Sequence, residues 1–228
     1  MSAPVIDPSA GPSFRVVHAG QADPSPPQSV LSLAEIAYFQ RDRDPARSLL
    51  RMRVRAALLT WLGECLNLPP IRVPLLQSAS GRLELAPPYQ DWTVSVSASR
   101  EIGLLAVSQP GQGVVGVDVE WLDDALDLTA LGPPALNAAE RAALDALPPS
   151  SRREAFFRLW TRKEAAAKAL GLGVSAFDAG LDLSSLPLTE AHDWREFSAF
   201  GQSLALRDLP IPPGYLAALA VVRPADHR

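Results

Sequence analysis

Two stretches decide how this chain folds: Gly116-Val117-Asp118-Val119-Glu120, and Trp160-Thr161-Arg162-Lys163-Glu164-Ala165-Ala166-Ala167-Lys168-Ala169-Leu170-Gly171. The first alternates as a strand does, with Val115, Val117 and Val119 on one side, so Asp118 and Glu120 leave the same face. The second has helical spacing, and it sets Glu164 on the stripe of Trp160 and Phe156, one and two turns back. Two neighbouring carboxylates repel unless a cation joins them, and Glu164 supplies a third on a largely apolar face. Three carboxylates with no nearby His or Cys favour a hard, oxygen-loving ion. Mg²⁺ fits best, because it takes few protein ligands and fills its shell with water and phosphate oxygens; Mn²⁺ is the alternative.

Outward from these stretches, helices and strands alternate. Phe14–Val17 is expected as a strand and Asp23–Ser29, with three prolines, as a loop; Ser32 or Ser29 caps a short helix. From Pro45 to Leu66 the apolar residues Leu49, Leu50, Val54, Leu58, Leu59 and Leu62 recur at helical spacing, and Arg47, Arg51 and Arg55 form a basic stripe. Ile71–Val73, Trp92–Ser97, Ile102–Val107 and Val114–Val119 read as strands, with a turn at Ser80-Gly81-Arg82. After a Pro-rich loop at Gly132-Pro133-Pro134, the pattern predicts a short helix over Asn137–Leu147 and a long one over Arg152–Leu170. Gly171 and Gly173 follow as stop signals, then later strands that end in the apolar run Tyr215–Val222. Laying Leu62-Gly63 over Leu170-Gly171 also brings Arg55 over Lys163, a clue to two similar α+β lobes.

A chain of 228 residues with 47% hydrophobic content can bury one large core or two small ones. Its net charge of −4 argues against general affinity for nucleic acid or anionic membrane. A single cysteine, Cys65, excludes an internal disulfide and reads as helix packing. No stretch has the length and apolarity of a membrane span, and the first thirty residues lack the pattern of a signal peptide, so a cytoplasmic location is expected. His18, His192 and His227 are scattered and suggest no nucleophile–histidine arrangement.

With both motifs in hand, the chain resembles the 4'-phosphopantetheinyl transferases, specifically their two-lobed monomeric type. Weaker likeness runs from Pro45 to Val222 and includes Gly81-Arg82 where the family has Gly-Lys-Pro, Ser97-Ala98-Ser99 where it has Ser-His-Ser, and Glu140 ahead of the long helix. The resemblance implies an α+β fold of two pseudo-twofold-related lobes, each a small, mostly antiparallel sheet packed with a long helix. It places an N-terminal lobe over 1–112, with the coenzyme A phosphate contacts, and a C-terminal lobe over 113–228, with the metal site and catalytic helix. It implies a holo-[acyl-carrier-protein] synthase type of reaction: a serine of an apo acyl or peptidyl carrier protein attacks the pyrophosphate of coenzyme A, takes up the phosphopantetheine arm and releases 3',5'-ADP. Such chemistry serves fatty-acid, polyketide or nonribosomal peptide synthesis.

By the same resemblance Asp118, Glu120 and Glu164 hold the metal, and Lys168 stabilises or protonates the leaving group. Glu140 or Glu164 takes the serine proton. Arg47, Arg82, Ser97, Ser99, Arg100, Lys163 and Lys168 are the coenzyme A contacts, while Arg51 and Arg55 read as a solvated stripe and Trp160 as core. Out of context, Glu164 and Lys168 would be an ordinary i,i+4 pair worth about 0.3–0.5 kcal/mol; the motif sets them apart. The carrier, acidic as a class, is expected to meet a mixed apolar and basic patch near the lobe junction.

The clearest departure from the family is Ala98, which stands where a histidine contacts the 3'-phosphate of coenzyme A. A charge-assisted contact is worth about 1.5–3 kcal/mol, so weaker discrimination against dephospho-coenzyme A is expected unless Ser97, Ser99 or Arg100 compensates. Arg82-Leu83 for Lys-Pro keeps the charge and loses a rigid turn. Two other readings share the charge pattern: a coenzyme A-binding homologue without turnover, and a Mg²⁺-dependent hydrolase of a nucleotide diphosphate.

Overall fold

The computed structural model describes residues 11–20, 27–78, 81–125, 136–173, 175–178 and 180–224. The chain divides into two compact units, Met1–Gln112 and Gly113–Arg228. The fold is α+β: each unit pairs an antiparallel sheet with one 22-residue helix.

The first unit contains β1 (Ser13–His18), α1 (Leu33–Phe39), α2 (Pro45–Leu66), β2 (Leu75–Gln77), β3 (Leu83–Leu85), β4 (Thr93–Ser99) and β5 (Ile102–Ser108), with strand order β1-β5-β4-β3-β2. Ser32, not Ser29, caps α1. Its hydroxyl accepts from the Glu35 amide, and the Glu35 carboxylate accepts from the Ser32 amide and hydroxyl. Asp44 caps α2 by accepting from the amides of Ala46 and Arg47, and Pro45 occupies the first helical position, where no donor is lost. Leu50, Val54, Leu58 and Leu62 pack with Leu105 and Val107 of the sheet, whereas Leu49 of the same apolar series stays exposed.

The second unit contains β6 (Val114–Trp121), α3 (Ala138–Asp145), α4 (Pro149–Leu170), α5 (Ser175–Asp178), β7 (Arg195–Ala199), β8 (Gln202–Asp208) and β9 (Tyr215–Val222), with strand order β6-β9-β8-β7. Helix α4 lies on this sheet. Phe156, Leu159, Ala165 and Ala169 pack with Leu204, Leu206, Ala218 and Ala220. Gly171 closes α4 in the left-handed conformation at φ 73°.

Ile71–Val73 is not a strand. Pro70–Arg72 forms a single 3-10 turn, held by the Arg72 and Val73 amides donating to the carbonyls of Pro69 and Pro70. The prolines preset a φ that suits a tight turn, and their missing N–H groups weaken any ladder there. The strand follows as β2. Helix α4 begins at Pro149, three residues before the expected start, because proline is well tolerated in a first turn. The turn expected at Ser80-Gly81-Arg82 joins β2 to β3, with Gly81 donating to the Ser78 carbonyl; Ser80 itself lies outside the described residues. So do Asp23–Pro26, Gly132-Pro133-Pro134 and His227. Among the described residues no helix is long and apolar enough to cross a membrane.

Candidate active site

The geometry of the second unit follows from where α4 touches β6. Gly116, Asp118 and Glu120 share one face of β6, and at Gly116 the helix backbone comes so near that a Cβ would lie 2.1 Å from the Ala165 carbonyl oxygen and 2.4 Å from the Ala169 nitrogen. The run of small residues at 165–167 permits this approach. It carries the next turn of α4 to Asp118, where Lys168 Nζ donates to Asp118 Oδ1 at 2.7 Å and to the Val117 carbonyl at 3.1 Å. Gly116→Ala is therefore expected to destabilise the unit by about 3 kcal/mol or more, the upper end for overpacking, because backbone and not a flexible side chain must yield. The midpoint of urea unfolding measures this.

Glu164 lies one turn before Lys168 and is half-buried. Burial pushes its carboxyl above the ordinary value, the negative charge of Asp118 adds to the rise, and Lys168 opposes it. Glu164 therefore feels the charge of Asp118 across the helix–strand contact. Glu120, half-buried, follows on the same strand face. Among the described residues no three His, Cys, Asp or Glu side chains stand close enough to hold a metal ion as they are. Asp118 and Glu164 lie near enough for charge to act between them, and Glu120 follows Asp118 by two positions on β6. As donors they suit Mg²⁺, since all are carboxylate oxygens and the repulsion between Asp118 and Glu164 is of the kind a hard cation relieves.

The intervening residues of the helical motif anchor α4. Arg162 Nε and Nη2 donate to Asp208 Oδ1 and Oδ2 at 2.8 and 2.7 Å, and Arg158 Nη1 donates to Asp208 Oδ2 at 2.9 Å. Lys163 Nζ donates to Glu140 Oε2 at 2.7 Å, and this pair is fully buried, at 1% and 0% exposure. The other contacts of Glu140 are with the amides of Asn137 and Leu183. Glu140, one of the two alternative bases, and Lys163, an expected coenzyme A contact, are thus bound to each other in the interior. Trp160 packs against Phe156 and Phe177, at ring-centroid distances of 6.3 and 5.6 Å.

In the first unit, α1, α2 and the sheet enclose a cavity of about 350 Å³ whose wall includes Tyr38, Phe39, Arg51, Arg55, Ser97 and Ala98. The two arginines read from sequence as a solvated stripe therefore face a cavity. Helical spacing alone placed them together but gave no sign of what faced them. Arg47 is not part of this wall: it forms a two-pronged bond to Asp42, with Nε and Nη2 each 2.7 Å from a carboxylate oxygen. That bond, the Asp44 amide and the charges of Arg47 and Arg51 hold the Asp42 carboxyl at about 2. Gly81 lines the cavity and Arg82 follows it, its amide donating to Ser78 Oγ. Ser99 ends β4, and Arg100 is exposed in the β4–β5 turn at φ 53°.

This antiparallel α+β unit gathers acidic side chains and one lysine where a helix crosses a strand, a set of groups suited to hold a hard cation. Residues 114–210 match the family model of the 4'-phosphopantetheinyl transferase superfamily, a span that includes β6, α4, Asp118, Glu120, Glu164 and Lys168. Over that span the chain is similar to members of that superfamily. It is 29% identical over 152 residues to the 4'-phosphopantetheinyl transferase HetI of Nostoc sp. (strain PCC 7120), a match covering 66% of this chain and 63% of HetI. Over 97 residues it is 30% identical to the 4'-phosphopantetheinyl transferase AcpT of Escherichia coli K12, covering 42% of this chain and 48% of AcpT. The matches thus span less than two thirds of these relatives' own lengths.

Proposed function

We propose that this protein transfers the 4'-phosphopantetheine arm of coenzyme A to a serine of an apo acyl or peptidyl carrier protein. The observation that carries the reading is the meeting of Glu164 and Lys168 on α4 with Asp118 on β6, inside the matched span. Phosphoryl transfer asks a protein mainly to position its reactants and to offset the charge that moves onto the leaving phosphate. Asp118, Glu120 and Glu164 would hold Mg²⁺, with Mn²⁺ as the alternative; when bound it supplies charge neutralisation at the pyrophosphate. The serine oxygen bonds to the pantetheine-side phosphorus as the bond to the bridging oxygen breaks, and 3',5'-ADP leaves. The Lys168 ammonium lies beside Asp118, suited to meet the negative charge on the departing phosphate. Glu164 is the carboxylate assigned to take the serine proton, since both Glu140 oxygens are committed in the interior. The same reading expects a cytoplasmic monomer.

Incubated with coenzyme A, Mg²⁺ and a panel of apo carriers from fatty-acid, polyketide and peptide synthesis, the protein is expected to add the phosphopantetheine mass to at least one. Coenzyme A binding with no mass gain on any carrier would instead identify a binding protein without turnover. Release of nucleotide in the absence of carrier would identify a hydrolase.

A further inference from the structure

The ion pair between Lys168 and Asp118 carries an inference that rests on the transferase reading and deepens it. Lys168 lies in the last turn of α4, and its ammonium donates to Asp118 Oδ1 at 2.7 Å and to the Val117 carbonyl at 3.1 Å. The root of the side chain is fixed by the close contact of helix and strand: a Cβ placed on Gly116 would stand 3.0 Å from Lys168 Cβ. Its far end is less confined. The Lys168 side chain is 30% exposed, against 5% for Asp118, and a flexible four-carbon stem carries the ammonium.

The charge of Lys168 also reaches Glu164, one turn back on α4, where it opposes the upward pull of burial and of Asp118 on that carboxyl. One ammonium thus serves two carboxylates, both of them proposed ligands of a divalent cation. Like charges brought together there repel, the more so where water is partly excluded. A cation at Asp118 and Glu164 is therefore held weakly unless the ammonium moves, and the ammonium gives up a charge-assisted bond if it moves with no new acceptor. A diphosphate changes that balance. It carries a negative charge on each phosphate, accepts from the ammonium in place of Asp118, and offers further oxygens to a cation bound at Asp118.

We propose that Lys168 is an exchangeable counter-ion, paired with Asp118 until the diphosphate of coenzyme A draws its ammonium away, and that it thereby couples the binding of the divalent cation to the binding of coenzyme A. Such coupling is reciprocal, each ligand tightening the other by the same factor.

Manganese binding to the full chain tests it, read from the paramagnetic resonance of free Mn²⁺, on the unmodified protein, Lys168→Met and Lys168→Gln, each with and without coenzyme A. Without coenzyme A, both variants are expected to bind Mn²⁺ at least about tenfold more tightly than the unmodified protein. Coenzyme A is expected to tighten Mn²⁺ binding about tenfold or more in the unmodified protein, and by a smaller factor in the variants. A lysine that served only to anchor α4 would lower the thermal midpoint on substitution and leave Mn²⁺ affinity as it was. That result, or weaker Mn²⁺ binding by the folded variants, overturns the proposal. So does equal Mn²⁺ affinity of the unmodified protein with and without coenzyme A, a reading that depends on neither variant folding. Failure of Mn²⁺ to bind any of the three proteins overturns the assignment of the carboxylates to a cation and this proposal with it. Mass gain on a carrier, which assumes nothing about Lys168, tests the transferase reading separately.

Discussion

Replacing Glu164 by glutamine is expected to slow phosphopantetheine transfer by about a hundredfold or more while leaving the protein folded and able to bind coenzyme A. The substitution keeps the side chain's shape, so the packing of α4 on β6 is undisturbed. What it removes is charge: the group proposed to take the serine proton, and one of three carboxylates proposed to hold the cation. Each such contribution is worth several kcal/mol in a transition state, and every 1.4 kcal/mol is about tenfold in rate. Single-turnover rates on an apo carrier, measured beside the thermal midpoint, separate the outcomes. The reading is supported if kcat falls at unchanged stability and near-unchanged affinity for coenzyme A. A variant with normal kcat would remove Glu164 from the chemistry.

Glu140→Ala is expected to fail in the opposite way, by unfolding before it slows. Its carboxylate is fully buried, holds the Lys163 ammonium at 2.7 Å and caps α3 by accepting from the Asn137 amide at 2.9 Å. Deleting it strands an ammonium in the interior, and breaking a buried ion pair from one side costs about 3–5 kcal/mol. Denaturant titration should show a loss of that size. The double variant Glu140→Gln with Lys163→Met should recover part of it, because no unpaired charge is left behind. At a temperature where Glu140→Gln is folded, transfer should proceed at a near-normal rate. A large fall in kcat for that folded variant would return Glu140 to the chemistry.

These two glutamates show how much of the site the sequence carried. Glu140 precedes the helical motif and Glu164 lies within it. Glu140 lies three residues after Asn137, and that spacing supports a capping box, a structural role that local sequence does encode. The family resemblance leaves Glu140 and Glu164 as alternative bases, and the capping spacing distinguishes them. Arg47 was similarly favoured over Arg51 and Arg55, although it sits beside the Asp42-x-Asp44 turn, where a carboxylate within five residues can hold it.

By itself the sequence determined what depends on neighbours along the chain. Alternation fixed Asp118 and Glu120 on one strand face, the i,i+4 spacing fixed Glu164 and Lys168 on one helix face, and Gly171 and Pro45 marked helix ends. Tertiary structure alone decided which charge meets which. Arg162 finds Asp208 from 46 residues away, Lys163 finds Glu140 from 23, and Lys168 finds Asp118 from 50. Those pairings follow from how α4 packs on the sheet and on α3. In the same way, only the closure of α1 and α2 over β4 turned a stripe of arginines into the wall of a cavity. Local spacing sets the direction of a side chain, but burial and the partner that comes to meet it set whether its charge is spent on the fold or kept for a ligand.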